Sequence, residues 1–238
     1  MPYSFTSLLE QIRHGLIVSC HAETRAAIDP LDLLHMYAVA AEDGGARALR
    51  VEGCAAVAAL RGRTTLPIIG FVKGSHADGS ELITPTLEDI EALFTAGADV
   101  VAIDATKRKR PSGMDGFTFF DEARKRFTRP LWADCSMFRE GVRAAEAGAD
   151  LVATTLSGYT PATAETDHSE PDYTMIRELA LSLVIPVVAE GRIWSPRAAA
   201  HALKEGAYAV VVGSAITRPA VITRMFAEAV HADPTRQL

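Results

Sequence analysis

The chain has 238 residues, room for one large domain or two small ones and within the roughly 200–250 residues that a closed α/β barrel fills as one unit. Its 48% apolar and 23% charged residues leave ample material for a core and argue against a disordered chain. A formal charge of −6, with no basic stripe interleaved with aromatics, argues against a nucleic-acid partner, because surplus carboxylates repel a phosphate backbone.

Eight short β-branched runs recur along the chain. In order they are G-L-I-V-S-C from Gly15, A-L-R-V from Ala48, P-I-I-G-F-V-K from Pro67 and A-D-V-V-A-I-D-A-T from Ala98. P-L-W-A-D-C-S from Pro130, A-D-L-V-A-T-T-L-S from Ala149, I-P-V-V-A-E-G from Ile185 and A-Y-A-V-V-V-G from Ala207 complete the set. Each is nearly continuous in apolar character, the pattern of parallel strands buried on both faces. Amphipathic segments separate them. In T-L-E-D-I-E-A-L-F-T-A-G from Thr86, residues Leu87, Ile90, Leu93 and Phe94 fall on one helical face. Alternation of this kind demands a parallel sheet, since parallel neighbours need a crossover long enough to hold a helix.

A doubly wound open sheet also satisfies that order, but internal repeats favour closure. A-G-A-D-V-V-A at Ala96 recurs as A-G-A-D-L-V-A at Ala147, with echoes in G-G-A-R-A-L at Gly44 and E-G-A-Y-A-V-V at Glu205. In each, Gly is read as a left-handed helix cap and Ala as the start of a tightly packed strand. Eight strands with a four-fold echo predict one (β/α)8 TIM barrel over residues 1–238. Three widely spaced cysteines, Cys20, Cys54 and Cys135, form no disulfide or zinc pattern and fit a reducing cytoplasm. No stretch approaches the roughly 18 uninterrupted apolar residues of a membrane span, and neither an export signal nor a membrane anchor is expected.

Barrel active sites lie where strands end at their C-terminal side. The polar residues closing the runs are Cys20-His21, Arg50, Lys73, Asp104-Thr106, Asp134, Thr155-Ser157, Glu190-Arg192 and Gly213-Ser214. The last two runs resemble a phosphate site, in which amides freed at glycines and at a helix start face an anion. Gly191, Arg192, Gly213 and Ser214 are the expected phosphate ligands, with Arg218 available for charge-assisted bonds. Lys73 is expected to end the third strand beside Arg50, whose charge, with partial burial, would favour a neutral amine able to act as base or Schiff-base nucleophile. Glu190 supplies a carboxyl group to polarise a carbonyl or trade protons.

These residues resemble the N-acetylmannosamine-6-phosphate 2-epimerase family over nearly the whole chain. The likeness rests on G-L-I-V-S-C, on L-P-I-I-G-x-x-K ending at Lys73, and on D-A-T-K-R-K-R-P from Asp104. T-T-L-S-G-Y-T from Thr154, V-A-E-G-R-I from Val188 and V-V-V-G-S-A-I-T-R-P from Val210 complete it. The resemblance implies a ribulose-phosphate-binding type of barrel and an isomerase of amino-sugar and sialic acid breakdown. Its substrate pair would be N-acetylmannosamine 6-phosphate and N-acetylglucosamine 6-phosphate, inverted at C2. It implies Lys73 as catalytic acid/base and Glu190 as its carboxylate partner, with Asp134 orienting the reacting centre, and Arg50, Arg218 and His21 contacting the sugar. No metal or organic cofactor is implied, and a homodimer is. The chain departs from the family pattern at His21, where Gln is usual, in G-S-H-A-D-G-S after Lys73, where Arg-Asp is usual after the lysine, and at Ser214, where a second Gly is usual. A Schiff-base aldolase or synthase on the same barrel, and a non-catalytic sugar-phosphate sensor, are the competing readings.

Overall fold

The computed structural model describes residues 4–20, 30–75, 81–165 and 169–231. Ten strands occur among these residues: β1 (Leu16–Cys20), β2 (Ala48–Glu52), β3 (Ile68–Phe71), β4 (Lys73–Ser75), β5 (Glu81–Ile83), β6 (Val100–Asp104), β7 (Leu131–Asp134), β8 (Leu151–Ala153), β9 (Val187–Glu190) and β10 (Ala209–Val212). All but β4 and β5 form a closed parallel barrel in chain order, with β10 returning to pair with β1. Each barrel strand falls within one of the eight apolar runs or, for β2, runs one residue past it.

Alternation along each strand divides the apolar residues into two concentric cores. Ile17, Ala48, Ile69, Val100, Ala102, Trp132, Leu151, Val188 and Ala209 point inward and pack with Leu8 and Ile12 of the first helix, Phe5–Ile12. That helix plugs the end where the strands begin, and the Tyr208 hydroxyl ties it down by donating to the Leu9 carbonyl at 2.9 Å. Val18, Leu49, Ile68, Val101, Ile103, Leu131 and Val152 point outward, under the surrounding helices. The helix Leu87–Ala96 buries Ile90, Leu93 and Phe94 against this shell and starts with a reciprocal capping box between Thr86 and Asp89.

The repeats have a physical function at the bottom of the barrel. Gly45, Gly97, Gly148 and Gly206 all have φ between 87° and 107°, a region that side-chain-bearing residues avoid. After two of them, an aspartate makes the same pair of bonds. Asp99 accepts from Arg61 at 2.7 Å and from the Ile68 amide at 2.8 Å, while Asp150 accepts from Arg124 and from the Leu131 amide, both at 2.8 Å. Each arginine also donates to carbonyls of the loop that leads into the neighbouring strand. The A-G-A-D motif therefore staples a helix end to the start of an adjacent strand.

Two features depart from the sequence expectation. The third barrel strand stops at Phe71, and Lys73 opens a small antiparallel hairpin with β5. The chain leaves the barrel there because Val72 turns to exchange bonds with Thr84: its carbonyl accepts from the Thr84 amide at 2.7 Å and its amide donates to the Thr84 hydroxyl at 3.3 Å. The last helix, Pro219–His231, has no buried residue, and Met225, Phe226 and Val230 are 44–70% exposed. The outer face of β1 and β10 beside it is a largely apolar groove of about 450 Å³ lined by Leu16, Trp194, Leu203, Val210, Val212 and Ile216. Among the described residues, no helix is long and apolar enough to cross a membrane.

Candidate active site

The inward parity that gives apolar residues at strand starts gives polar ones at strand ends. Ile17 is followed by Ser19, Ala48 by Arg50, Ala102 by Asp104, Trp132 by Asp134 and Val188 by Glu190, each two residues further along the same inner face. Of these, Ser19, Arg50 and Glu190 floor a cleft of about 570 Å³ at the C-terminal mouth. Arg50, Lys73, Glu190, Gly191, Arg192, Gly213, Ser214 and Arg218 all line it. Asp134 lies just beneath, fully buried. His21 falls outside the described residues.

Arg50 is the hub of the floor. Only 2% exposed, it makes a two-pronged pair with Asp134 at 3.0 and 2.7 Å and reaches the Glu190 carboxylate at 2.6 Å. Its guanidinium lies 4.7 Å from the Phe71 ring centre and 5.8 Å from that of Trp132. Asp134 also accepts from the Trp132 indole at 2.9 Å and from the Thr155 hydroxyl at 2.5 Å, and that hydroxyl lies 3.1 Å from Glu190. Burial pushes the Glu190 carboxyl up to about 7; Arg50 pulls it down and the nearby Asp134 charge pushes it further up. A carboxyl group with that value exchanges protons readily near neutrality.

Lys73 stands on the opposite rim with neighbours other than those expected. Its amine is 3.0 Å from the Glu81 carboxylate and 3.9 Å from that of Glu52, and its side chain is 30% exposed. Carboxylates therefore surround the amine where Arg50 was expected, because the hairpin register places Lys73 opposite Ile83 and diagonal to Glu81 on one face. Burial raises the Glu52 carboxyl above its ordinary value against the pull of Lys73.

The far rim carries the phosphate candidates. Gly191 has φ 111°, and Gly213 precedes the short helix Ser214–Thr217, whose first amides have no preceding turn to pair with. Arg192 lines the cleft, but its guanidinium turns away to donate to the carbonyls of Glu170, at 2.7 Å, and Ser157, so it braces two loops. The backbone at Arg192, with φ 57°, remains on the rim. Glu52, Glu81 and Tyr159 were not singled out in the sequence. Glu81 and Tyr159 line the cleft and hold no run-end position in the sequence, whereas Glu52 directly follows the A-L-R-V run, a run-end signal that could have found it. Burial raises the Cys20 thiol to about 12 and Cys135 well above the ordinary value, which removes both as nucleophiles. Among the described residues no group of His, Cys, Asp or Glu could hold a metal ion.

A family model described as "Putative N-acetylmannosamine-6-phosphate epimerase" matches residues 34–232. A curated protein of Caldanaerobacter subterraneus subsp. tengcongensis, named "Putative N-acetylmannosamine-6-phosphate 2-epimerase", is 42% identical over 220 residues, 92% of each chain. The solved structure of the N-acetylmannosamine-6-phosphate 2-epimerase from Clostridium perfringens superposes with a TM-score of 0.86 at 38% identity, covering 95% of this chain and 98% of that one. Thiamine phosphate pyrophosphorylase from Pyrococcus furiosus shares the fold alone, with a TM-score of 0.58 at 18% identity over 93% of this chain and 98% of that one.

Two stability measurements test this geometry. Asp134→Ala leaves the buried Arg50 without its two-pronged partner, and urea denaturation should show a loss of about 3–5 kcal/mol; a loss below about 1 kcal/mol would contradict a buried, two-pronged pair. Because Glu190 binds its proton more tightly folded than unfolded, its contribution is complete below pH 4.5 and is lost as pH rises through about 7. Relative to Glu190→Gln, the wild-type chain should therefore lose about 3 kcal/mol of unfolding free energy across that interval and then level off. A pH-independent difference contradicts the raised value.

Proposed function

The chain belongs to the N-acetylmannosamine-6-phosphate epimerase family, and on that premise we propose that it interconverts N-acetylmannosamine 6-phosphate and N-acetylglucosamine 6-phosphate by moving the proton at C2. The observation that carries this reading is one cleft holding an amine on one rim, a carboxyl group with a value of about 7 on its floor, and glycine-rich backbone on the other rim.

Inversion at C2 of an acetamido sugar needs an acidified C–H bond, which ring opening provides by exposing a C1 aldehyde. The carboxylates beside Lys73 favour its charged amine, so it first gives up a proton to solvent; the neutral amine then takes the C2 proton and becomes a cation again. Glu52 and Glu81, both within 4 Å, stabilise that positive charge. The electron pair moves onto the C1 oxygen, which receives the Glu190 proton, and Arg50 stabilises the carboxylate left behind. Reversal of these transfers with the proton delivered to the opposite face of C2 gives the epimer. Amides at Gly191, Arg192, Gly213 and Ser214, with Arg218, hold the phosphate, and Asp134 fixes Arg50 beneath the reacting carbons.

The last helix supports a homodimer. Met225, Phe226 and Val230 find no cover on their own barrel, and the groove beside β1 and β10 has an apolar character that matches them. In the proposed dimer this helix of one copy covers the groove of the other.

A coupled assay with N-acetylmannosamine 6-phosphate should show turnover and solvent deuterium entering C2. Lys73→Ala should lose about 10²–10⁴-fold in kcat, the usual contribution of a positioned proton-transfer group. Full turnover by that variant removes Lys73 from the mechanism. Light scattering should give a mass about twice the 25.5 kDa of one chain, and a monomer at micromolar concentration overturns the dimer.

A further inference from the structure

The hairpin that carries Lys73 is held by bonds other than those of the barrel sheet. At its base Thr84, a buried β-branched residue held at φ 49°, is locked to Val72 by two bonds. That conformation costs energy for such a residue and persists only where its surroundings impose it. On its flank the hairpin is gripped by Arg108, from the D-A-T-K-R-K-R-P segment after β6. One nitrogen of the Arg108 guanidinium donates to the Glu81 main-chain carbonyl at 2.8 Å, another pairs with the buried Asp104, and its Nε donates to the Thr106 hydroxyl at 3.2 Å. Thr106 is itself held to Asp104 at 2.7 Å. The position of Glu81 is thus set by a buried carboxylate on the inner face of β6. The Glu81 side chain, 3.0 Å from the Lys73 amine, passes that constraint to the lysine.

We propose that Glu81 is a positioning residue for Lys73 and that Arg108 holds Glu81 in place, so that the charged loop after β6 determines where the amine stands over the cleft. A lysine has four rotatable bonds and many accessible positions. The hairpin backbone fixes only its Cα, whereas a carboxylate on the same hairpin face fixes its far end. Glu81 is also so exposed, at 67% of its side chain, that folding does not require it, and no apolar packing explains its presence against the amine. The family motif from Asp104 to Pro111 is thereby a bracket for the arm that bears the base. Arg110 completes the bracket from below, donating to the Asp104 carbonyl while stacked 4.8 Å from the Phe119 ring.

The inference rests on the reading of Lys73 as proton carrier, and steady-state kinetics separate the two. Glu81→Gln should lower kcat by about ten- to a hundredfold, the scale of a modest misplacement of a reacting group, with KM within about threefold of wild type. Arg108→Ala should lower kcat about tenfold in the same manner. Since both act through one amine, the double variant should be no slower than about threefold below Glu81→Gln alone. Unaltered thermal unfolding of Glu81→Gln keeps the test independent of folding. Turnover by the wild-type chain with an inactive Lys73→Ala, but with Glu81→Gln retaining full kcat, overturns this inference and leaves the function intact. Losses that multiply in the double variant, or that appear in KM alone, also overturn it. Absence of turnover by the wild-type chain overturns the functional reading first and this one with it.

Discussion

The structure turns on a guanidinium enclosed inside a barrel. A charged Arg50 with 2% exposure is tolerable only where fixed counter-charges replace the water it has lost. Asp134 provides the two-pronged partner and Glu190 a second carboxylate on the other side. If both carboxylates were ionised, the three groups together would carry one surplus negative charge in a poorly solvated place. Burial disfavours the ionised form and the Asp134 charge adds to it against the pull of Arg50, so the Glu190 carboxyl is raised to about 7 while remaining beside a permanent cation. The acid of the proposed mechanism is thus a consequence of charge placement on the barrel floor.

Around this floor the two rims are built by different means. The far rim is main chain: glycines and the start of a short helix, with Arg192 bracing loops from behind. It suits a phosphate, whose oxygens accept from several amides at once. The near rim is a side chain on an added hairpin, held by Thr84 and Arg108. A proton carrier that must address a carbon needs a defined reach, which a mobile lysine alone lacks. In the proposed mechanism this separation assigns binding to rigid backbone and proton movement to a supported arm.

Much of this was legible in the residues themselves. The eight strands and the buried face of Leu87–Ala96 followed from periodicity, and the left-handed glycines from A-G-A-D and its echoes, because these are local signals. The convergence of Arg50, Lys73, Glu190 and Gly213 on one mouth followed from their places at run ends once the barrel was assumed. The hairpin did not, since K-G-S and E-L-I are too short to show a period and their pairing spans an intervening loop. Consequently the place of Lys73 at a run end points to a barrel-strand terminus beside a cation, whereas the residue sits among carboxylates. The direction of Arg192 was equally hidden: carbonyls at Ser157 and Glu170, distant in sequence, set its rotamer.

The duplicated staples made by Asp99 and Asp150 carry a historical implication. The two ends of this barrel differ in how much repetition they carry. At the closed end, a helix arginine and a strand-entry aspartate still execute one design twice, about a quarter-turn of the ring apart in strand order. At the open end the equivalent inward positions hold an arginine, two aspartates, a glutamate and a serine, and three of them, Arg50, Asp134 and Glu190, are joined in one ion-pair network in place of a repeated unit. An ancestor assembled from copies of one βα pair would have begun with a mouth as repetitive as its base. On that account the surviving self-likeness lies at the closed end, away from the cleft, and this is the surface on which ancestry can be read.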